Sequence, residues 1–144
     1  KLSANFSKSK IITTCISGKM EMDLSQMNEI EEKEFRESLD LQIESGLNRM
    51  LRLSYGALDL ISFMTVGEDE VRAWPITRGT SALKASGKIH SDLERGFIRA
   101  EVISYEDLKE CRTLAVGRDR GLLRQEGKDY IVDDGEIMHV LFNV

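Results

Sequence analysis

Apolar positions change their period along this chain. The run Lys10–Ile16 (Lys-Ile-Ile-Thr-Thr-Cys-Ile) is β-branched and reads as a short strand entering Ser17-Gly18-Lys19-Met20-Glu21. Helical spacing follows: Leu24, Met27, Phe35 and Leu39 fall in one stripe with Ile30 at its flank. Asp23 and Gln26 have capping-box spacing, which predicts the helix start. Glu29–Lys33 and Glu32–Arg36 are i,i+4 pairs in the favourable order, each contributing roughly 0.2–0.5 kcal/mol. A second helix is predicted after Ser45, with Leu47, Met50, Leu51, Tyr55 and Leu58 on one face. Gly46 and Gly56 weaken it by about 1 kcal/mol each relative to alanine. The two helices read as a connector.

From Leu60 the period becomes that of strands. Leu60–Thr65, a turn containing Gly67, and Glu70–Thr77 predict a hairpin. A short helix over Ser81–Ser86 is expected to end at Gly87. Phe97–Ile103 reads as a strand with Ile98, Ala100 and Val102 facing one way, Arg99 and Glu101 the other. Ser104 and Asp107 offer a further helix cap. Gly127 and Gly135 fall at turns between three short closing strands. In the last of these Met138, Val140, Phe142 and Val144 share a face and His139 lies opposite. Pro75 cannot donate to a ladder, so its strand is an edge or breaks at Trp74. The order is α+β, a small mixed sheet gripping a helix, compatible with a ubiquitin-like β-grasp.

Composition narrows the class. A chain of 144 residues fits one domain or a small domain with an appendage. It can bury about two-thirds of its unfolded surface without a disulfide or metal. No apolar run approaches the roughly 20 residues that span a bilayer, and no signal peptide is visible. The two cysteines, Cys15 and Cys111, are far apart and suit a reducing, cytosolic setting, both read as buried, unreactive thiols. The start at Lys1 without a methionine reads as a fragment.

Charge is more telling by position than in total. Lys19–Glu44 carries nine acidic residues against three basic, most simply the wet face of a helix. Arg72–Ile103 carries six basic residues (Arg72, Arg78, Lys84, Lys88, Arg95, Arg99) against Asp92, Glu94 and Glu101. Such a basic island reads either as a phosphate-facing patch or as a mixed, solvated surface. Arg95 and Arg99 flank the Gly96-Phe97 turn, where they reach phosphates or pair with Glu94 or Glu101.

No self-contained active site is written here. There is no G-x-x-x-x-G-K-[ST], no G-x-S-x-G, no H-E-x-x-H and no C-x-x-C. Gly87-Lys88 lacks the spaced glycine before it, and Ile89 replaces the Ser/Thr. His90-x-Asp92, even with His139, falls short of the three or four convergent ligands that a metal needs. His90 is expected to hydrogen-bond locally, with Asp92 capping the next turn. Trp74, the sole tryptophan, reads as a core or hinge anchor before a base-stacking residue.

Three strings, Phe63–Trp74, Gly87–Val102 and Glu126–Val144, closely resemble the carboxy-terminal TGS domain of the YchF family, the Obg-like ATPases. Ser45-Gly46-Leu47-Asn48-Arg49 resembles the family's connector into that domain. Ile16–Glu21 is similar to the last nucleotide-domain signature, S-[AG]-x-x-E, beside the bound base. The resemblance therefore implies a nucleotide-domain remnant at 1–23, a two-helix connector at 24–59 and a TGS (β-grasp) domain at 60–144. Met64 and Leu93 stand where the family usually has phenylalanine, Pro75 where it has threonine, and Leu122 where lysine is common. Arg112–Arg120 fits poorly. Whole members bind and hydrolyse ATP or GTP with Mg2+ and associate with ribosomes in the cytoplasm. This chain, lacking the P-loop, implies no cofactor of its own. It implies Ser17 and Gly18 as a partial nucleotide-binding remnant, and Arg72, Lys84, Lys88, Arg95 and Arg99 as nucleic-acid contacts. A ribosome or RNA partner is implied, with no membrane and no DNA specificity. A protein partner, met through the sheet edge near Pro75 or the acidic helix, is the alternative; so is half of a hydrolase that is inactive without its P-loop part.

Overall fold

The computed structural model describes residues 12–40, 45–67 and 69–143. Contacts divide the chain into two units, Lys1–Leu58 and Asp59–Val144.

In the first unit, α1 (Gly18–Leu24), α2 (Glu29–Ser38) and α3 (Gly46–Ala57) follow one another. The single helix expected from Asp23 is thus two. Asn28 takes the capping role: its side chain accepts from the backbone N–H of Ile30 and Glu31, and Glu31 reaches back to the Asn28 N–H. This reciprocal box satisfies orphan donors that Asp23 and Gln26 leave alone, so the chain turns at 25–27 and restarts. Lys33 pairs with Glu37 instead of Glu29, whereas the Glu32–Arg36 pair forms as expected. Residues 12–16 of the expected strand pair with no strand among the described residues; Lys10 and Ile11 fall outside the described residues. Instead the Cys15 carbonyl accepts from Arg49 Nη2 at 2.7 Å, and Cys15 is exposed, contrary to expectation.

The two glycines of α3 differ in surroundings. A Cβ on Gly46 would meet Glu21 Oε1 and the Ile16 side chain at 2.6 and 2.8 Å, whereas one on Gly56 would meet nothing within 4 Å. Gly56→Ala is therefore expected to stabilise this unit by about 1 kcal/mol through helix propensity. Gly46→Ala should give no gain, because the displaced Glu21 offsets it. Thermal melts followed by circular dichroism distinguish the two.

The second unit is a mixed α+β domain. Its five strands, β1 (Leu60–Val66), β2 (Val71–Thr77), β3 (Phe97–Ser104), β4 (Arg124–Glu126) and β5 (Glu136–Phe142), lie in the order β2-β1-β5-β3-β4. β1 and β5 run parallel at the centre, and the remaining pairings are antiparallel. Helices α4 (Ala82–Ile89), α5 (Ser91–Arg95), α6 (Tyr105–Cys111) and α7 (Leu114–Asp119) complete it. Alternation along the strands sends Ile61, Phe63, Ile76, Ala100, Val102, Met138 and Val140 to one face. There they pack with Ala82 and Ala85 of α4, and Trp74, Ile89 and Leu93 close the rim.

Several local expectations give way. α4 passes through Gly87 to Ile89, because a side chain at 87 would occupy the place of the Glu94 carboxylate. The glycine is there for close approach, not for a helix stop. A β-bulge between Phe97 and Arg99 leaves Ile98 exposed and turns Phe97 inward. The closing segment holds two strands; between them only a single bridge joins Ile131 to Ser81. Phe142 is half-exposed at the sheet end, and Val144 falls outside the described residues. Pro75 lies opposite Ser62. Bonds from Arg78 N to Asp59 O and Gly67 N to Glu70 O fix the parity of this hairpin. The amides of β2 at 72, 74 and 76 point to β1, and position 75 points away, so the proline removes no ladder bond.

Candidate nucleic-acid interface

The five basic positions singled out in the sequence are all exposed, yet they do not form one patch. Lys84 and Lys88 lie on α4 and Arg95 at the end of α5, on the helix side of the sheet. Arg72 shares the strand face of Trp74 and Ile76 at the far end of β2. Arg99 faces the opposite side, where Leu141 is its cross-strand neighbour.

Their charges are unequally available. Lys84 Nζ pairs with Glu94 Oε1 at 2.6 Å, and Arg95 pairs with Asp92. The expected Arg95–Glu94 pairing is therefore replaced, and Glu101 is held at 2.9 Å by Arg118, not by Arg99. Arg72, Lys88 and Arg99 have no carboxylate partner among the described residues. His90 is the N-cap of α5: its Nδ1 accepts from the Asp92 N–H at 3.2 Å, so the cap is the histidine and Asp92 is the residue it caps. His139 is exposed on β5 opposite Glu101. Among the described residues no group of three or more His, Cys, Asp or Glu is placed to hold a metal ion.

Arg72 has a rigid support. Its guanidinium carbon lies 4.2 Å from the Trp74 ring centroid, and Trp74 Nε1 donates to Thr65 Oγ1 at 3.0 Å. Trp74 is half-buried and packed against the core. Trp74 is thus an anchor, as expected, and also carries a cation over its ring.

Ser17 and Gly18 open α1 in an exposed position. Ser17 is extended and makes no side-chain cap, and nothing lies within 4 Å of where a Gly18 Cβ would be. Among the described residues, no side chain closes over these two positions. Glu21, the last residue of the signature, is occupied structurally. It accepts the Gly46 N–H at 2.9 Å and faces the buried Arg36 at 3.6 Å, tying α1 to α2 and α3.

A second constellation escaped the sequence reading. Glu136, at the start of β5, is buried and gathers Arg124 Nη2, the Tyr130 hydroxyl at 2.6 Å and the Asp133 N–H at 2.9 Å. Arg124 also donates to the Tyr130 oxygen at 2.9 Å. Burial, then the hydrogen bond to Glu136, pushes the Tyr130 phenol up to about 12. Beside it lies a cleft of about 380 Å³ lined by Ser104, Asp107, Leu122, Asp133 and Asp134. Two of its carboxylates are already engaged: Asp134 accepts from Ser62 N at 2.8 Å and Asp107 from Ser104 Oγ at 2.6 Å. The network ties β4 and the loop after it to the start of β5. No local signal in the sequence marks it, since its members are brought together across the loop between β4 and β5.

Comparison with known proteins bears on what this surface is for. The family model YchF-GTPase_C, described as a protein of unknown function (DUF933), matches residues 60–143. The chain is 43% identical over 135 residues to a protein of Bacillus subtilis (strain 168) named Ribosome-binding ATPase YchF, covering 94% of this chain and 36% of the relative. The protein of the same name from Escherichia coli O157:H7 is 44% identical over 136 residues, covering 94% and 37%. The solved structure of the Schizosaccharomyces pombe YchF GTPase superposes with a TM-score of 0.73 at 37% identity, covering 83% of this chain and 31% of that one. The chain thus spans about a third of the length of the curated relatives it matches.

Proposed function

The chain belongs to the YchF C-terminal family, and on that premise we propose that residues 60–144 are a TGS-type β-grasp domain that docks a nucleotide hydrolase onto ribosomal RNA. The parallel β1–β5 centre gripping α4 supports the β-grasp reading. One observation carries the docking role: a unit whose relatives are named ribosome-binding presents Lys88 and Arg99 exposed and without carboxylate partners. Such cations can replace phosphate counterions without first breaking a protein ion pair. Lys84 and Arg95 contribute less, since Glu94 and Asp92 already hold them. Residues 24–59 act as the connector, and 1–23 as the remnant of the nucleotide domain that Ser17 and Gly18 would help to complete. ATP or GTP with Mg2+ then belongs to the larger part of the relatives' length, and the place of action is the cytoplasm.

Co-sedimentation with purified ribosomes at low and moderate salt tests this. Wild type should pellet in a salt-sensitive way. Lys88→Ala/Arg99→Ala should reduce the slope of log affinity against log salt by roughly one for each phosphate that is no longer neutralised. Arg95→Ala/Arg99→Ala should behave nearly as Arg99→Ala alone. Failure of the wild type to pellet at any salt would sink the docking role for this chain.

A further inference from the structure

The three unpaired cations are not equivalent, and Arg72 is the one that a phosphate clamp explains least. Asp69 and Glu70 stand at the hairpin turn beside it and oppose an approaching phosphate. What Arg72 offers is a plane. Its guanidinium is held over the Trp74 ring at 4.2 Å, the ring is fixed by its bond to Thr65, and Trp74 packs against the core. Cation–π attraction favours this placement. Arg72 is exposed, with no carboxylate among the described residues to neutralise it. A flat, weakly hydrated cation that is already ordered loses little freedom when a second flat group settles on it.

We propose that Arg72 and Trp74 form a stacking platform for an unpaired nucleobase of RNA, with Arg72 between the ring and the base. This rests on the docking role proposed above and gives it a substrate class: single-stranded or looped-out RNA, whose bases have free faces. Paired bases in a continuous duplex present no such face.

Trp74 is the only tryptophan, so its fluorescence reports this site alone. A short single-stranded oligouridylate should quench it to saturation, whereas an RNA duplex with the same number of phosphates should not. Arg72→Ala should weaken oligouridylate binding about tenfold, the loss of one stacked base. Arg72→Lys keeps the charge without the plane and should lose as much. Equal quenching by the duplex or by polyglutamate, or wild-type binding by Arg72→Lys, would overturn the platform. Ribosome pelleting run in parallel separates two failures. Without quenching but with pelleting, the platform falls and docking stands. Without either, the docking role falls too.

Discussion

Glu136→Ala is expected to destabilise the second unit by about 3 kcal/mol, shifting its melting midpoint by roughly 12–24 °C for a unit of this size. The carboxylate's side chain is only 6% exposed, and removing it takes the acceptor from the half-buried Tyr130 hydroxyl and from the Asp133 N–H, and the anion from Arg124. Arg124 is half-exposed and recovers water, which holds the loss at the lower end of what breaking a buried pair costs. Glu136→Gln keeps an oxygen for Asp133 and should recover part of the stability. The phenol supplies an independent readout. Tyr130 is raised in the folded state to about 12, from an ordinary value near 10. Its contribution is therefore complete below pH ~10 and is lost as the pH climbs toward 12. Ultraviolet titration should find the Tyr130 transition lowered in Glu136→Gln, and wild type should lose stability between those pH values while Tyr130→Phe lacks that component. An unchanged transition would mean that Glu136 does not hold the phenol.

Phe63→Ala is expected to cost about 3–5 kcal/mol, the full range for a buried phenylalanine. Phe63 is 0% exposed in the central strand β1, with Trp74 opposite it on β2 and the α4 alanines over the same face. That is a large share of the 5–15 kcal/mol that a domain typically has in hand. Urea melts of the second unit should move to a much lower midpoint. Phe35→Ala, at a position 36% exposed on α2, should leave that transition where it is. A mild effect at Phe63 would mean that the sheet–helix core is not where the unit's stability resides.

Legibility followed how local the deciding physics is. The β1–β2 hairpin, β3 and β5 were readable because period-two alternation and Gly67 are local signals, and the structure puts strands there. Ser45 and Ser104 were readable as caps because a hydroxyl's reach to the third residue on is local as well. The division of α1 from α2 was not, since two caps competed and Asn28 prevailed by making the reciprocal bond with Glu31. Gly87 looked like a stop because its reason for being small, the Glu94 side chain, comes from the next helix. α7 went unseen in a segment without clear periodicity; its Gly117 lies against Ile103, a neighbour supplied by the sheet. The basic island was visible as composition, but which of its charges are spent was not. Lys84–Glu94 spans ten residues, and Arg118–Glu101 seventeen.

The proline opposite Ser62 has a consequence beyond its own strand. A sheet that is not closed has two rims, and a rim with a regular row of free amides invites another chain to add itself. Here one rim shows outward amides at Val71, Ala73 and Thr77 with a gap at Pro75, so an added strand would miss a bond at the middle of its register. The other rim, β4, is three residues long and bears Arg124 and Glu126. Both rims are thus poor templates for a further strand. A strand added at either rim would find fewer backbone bonds than a regular edge offers, so side chains would have to carry more of such a pairing.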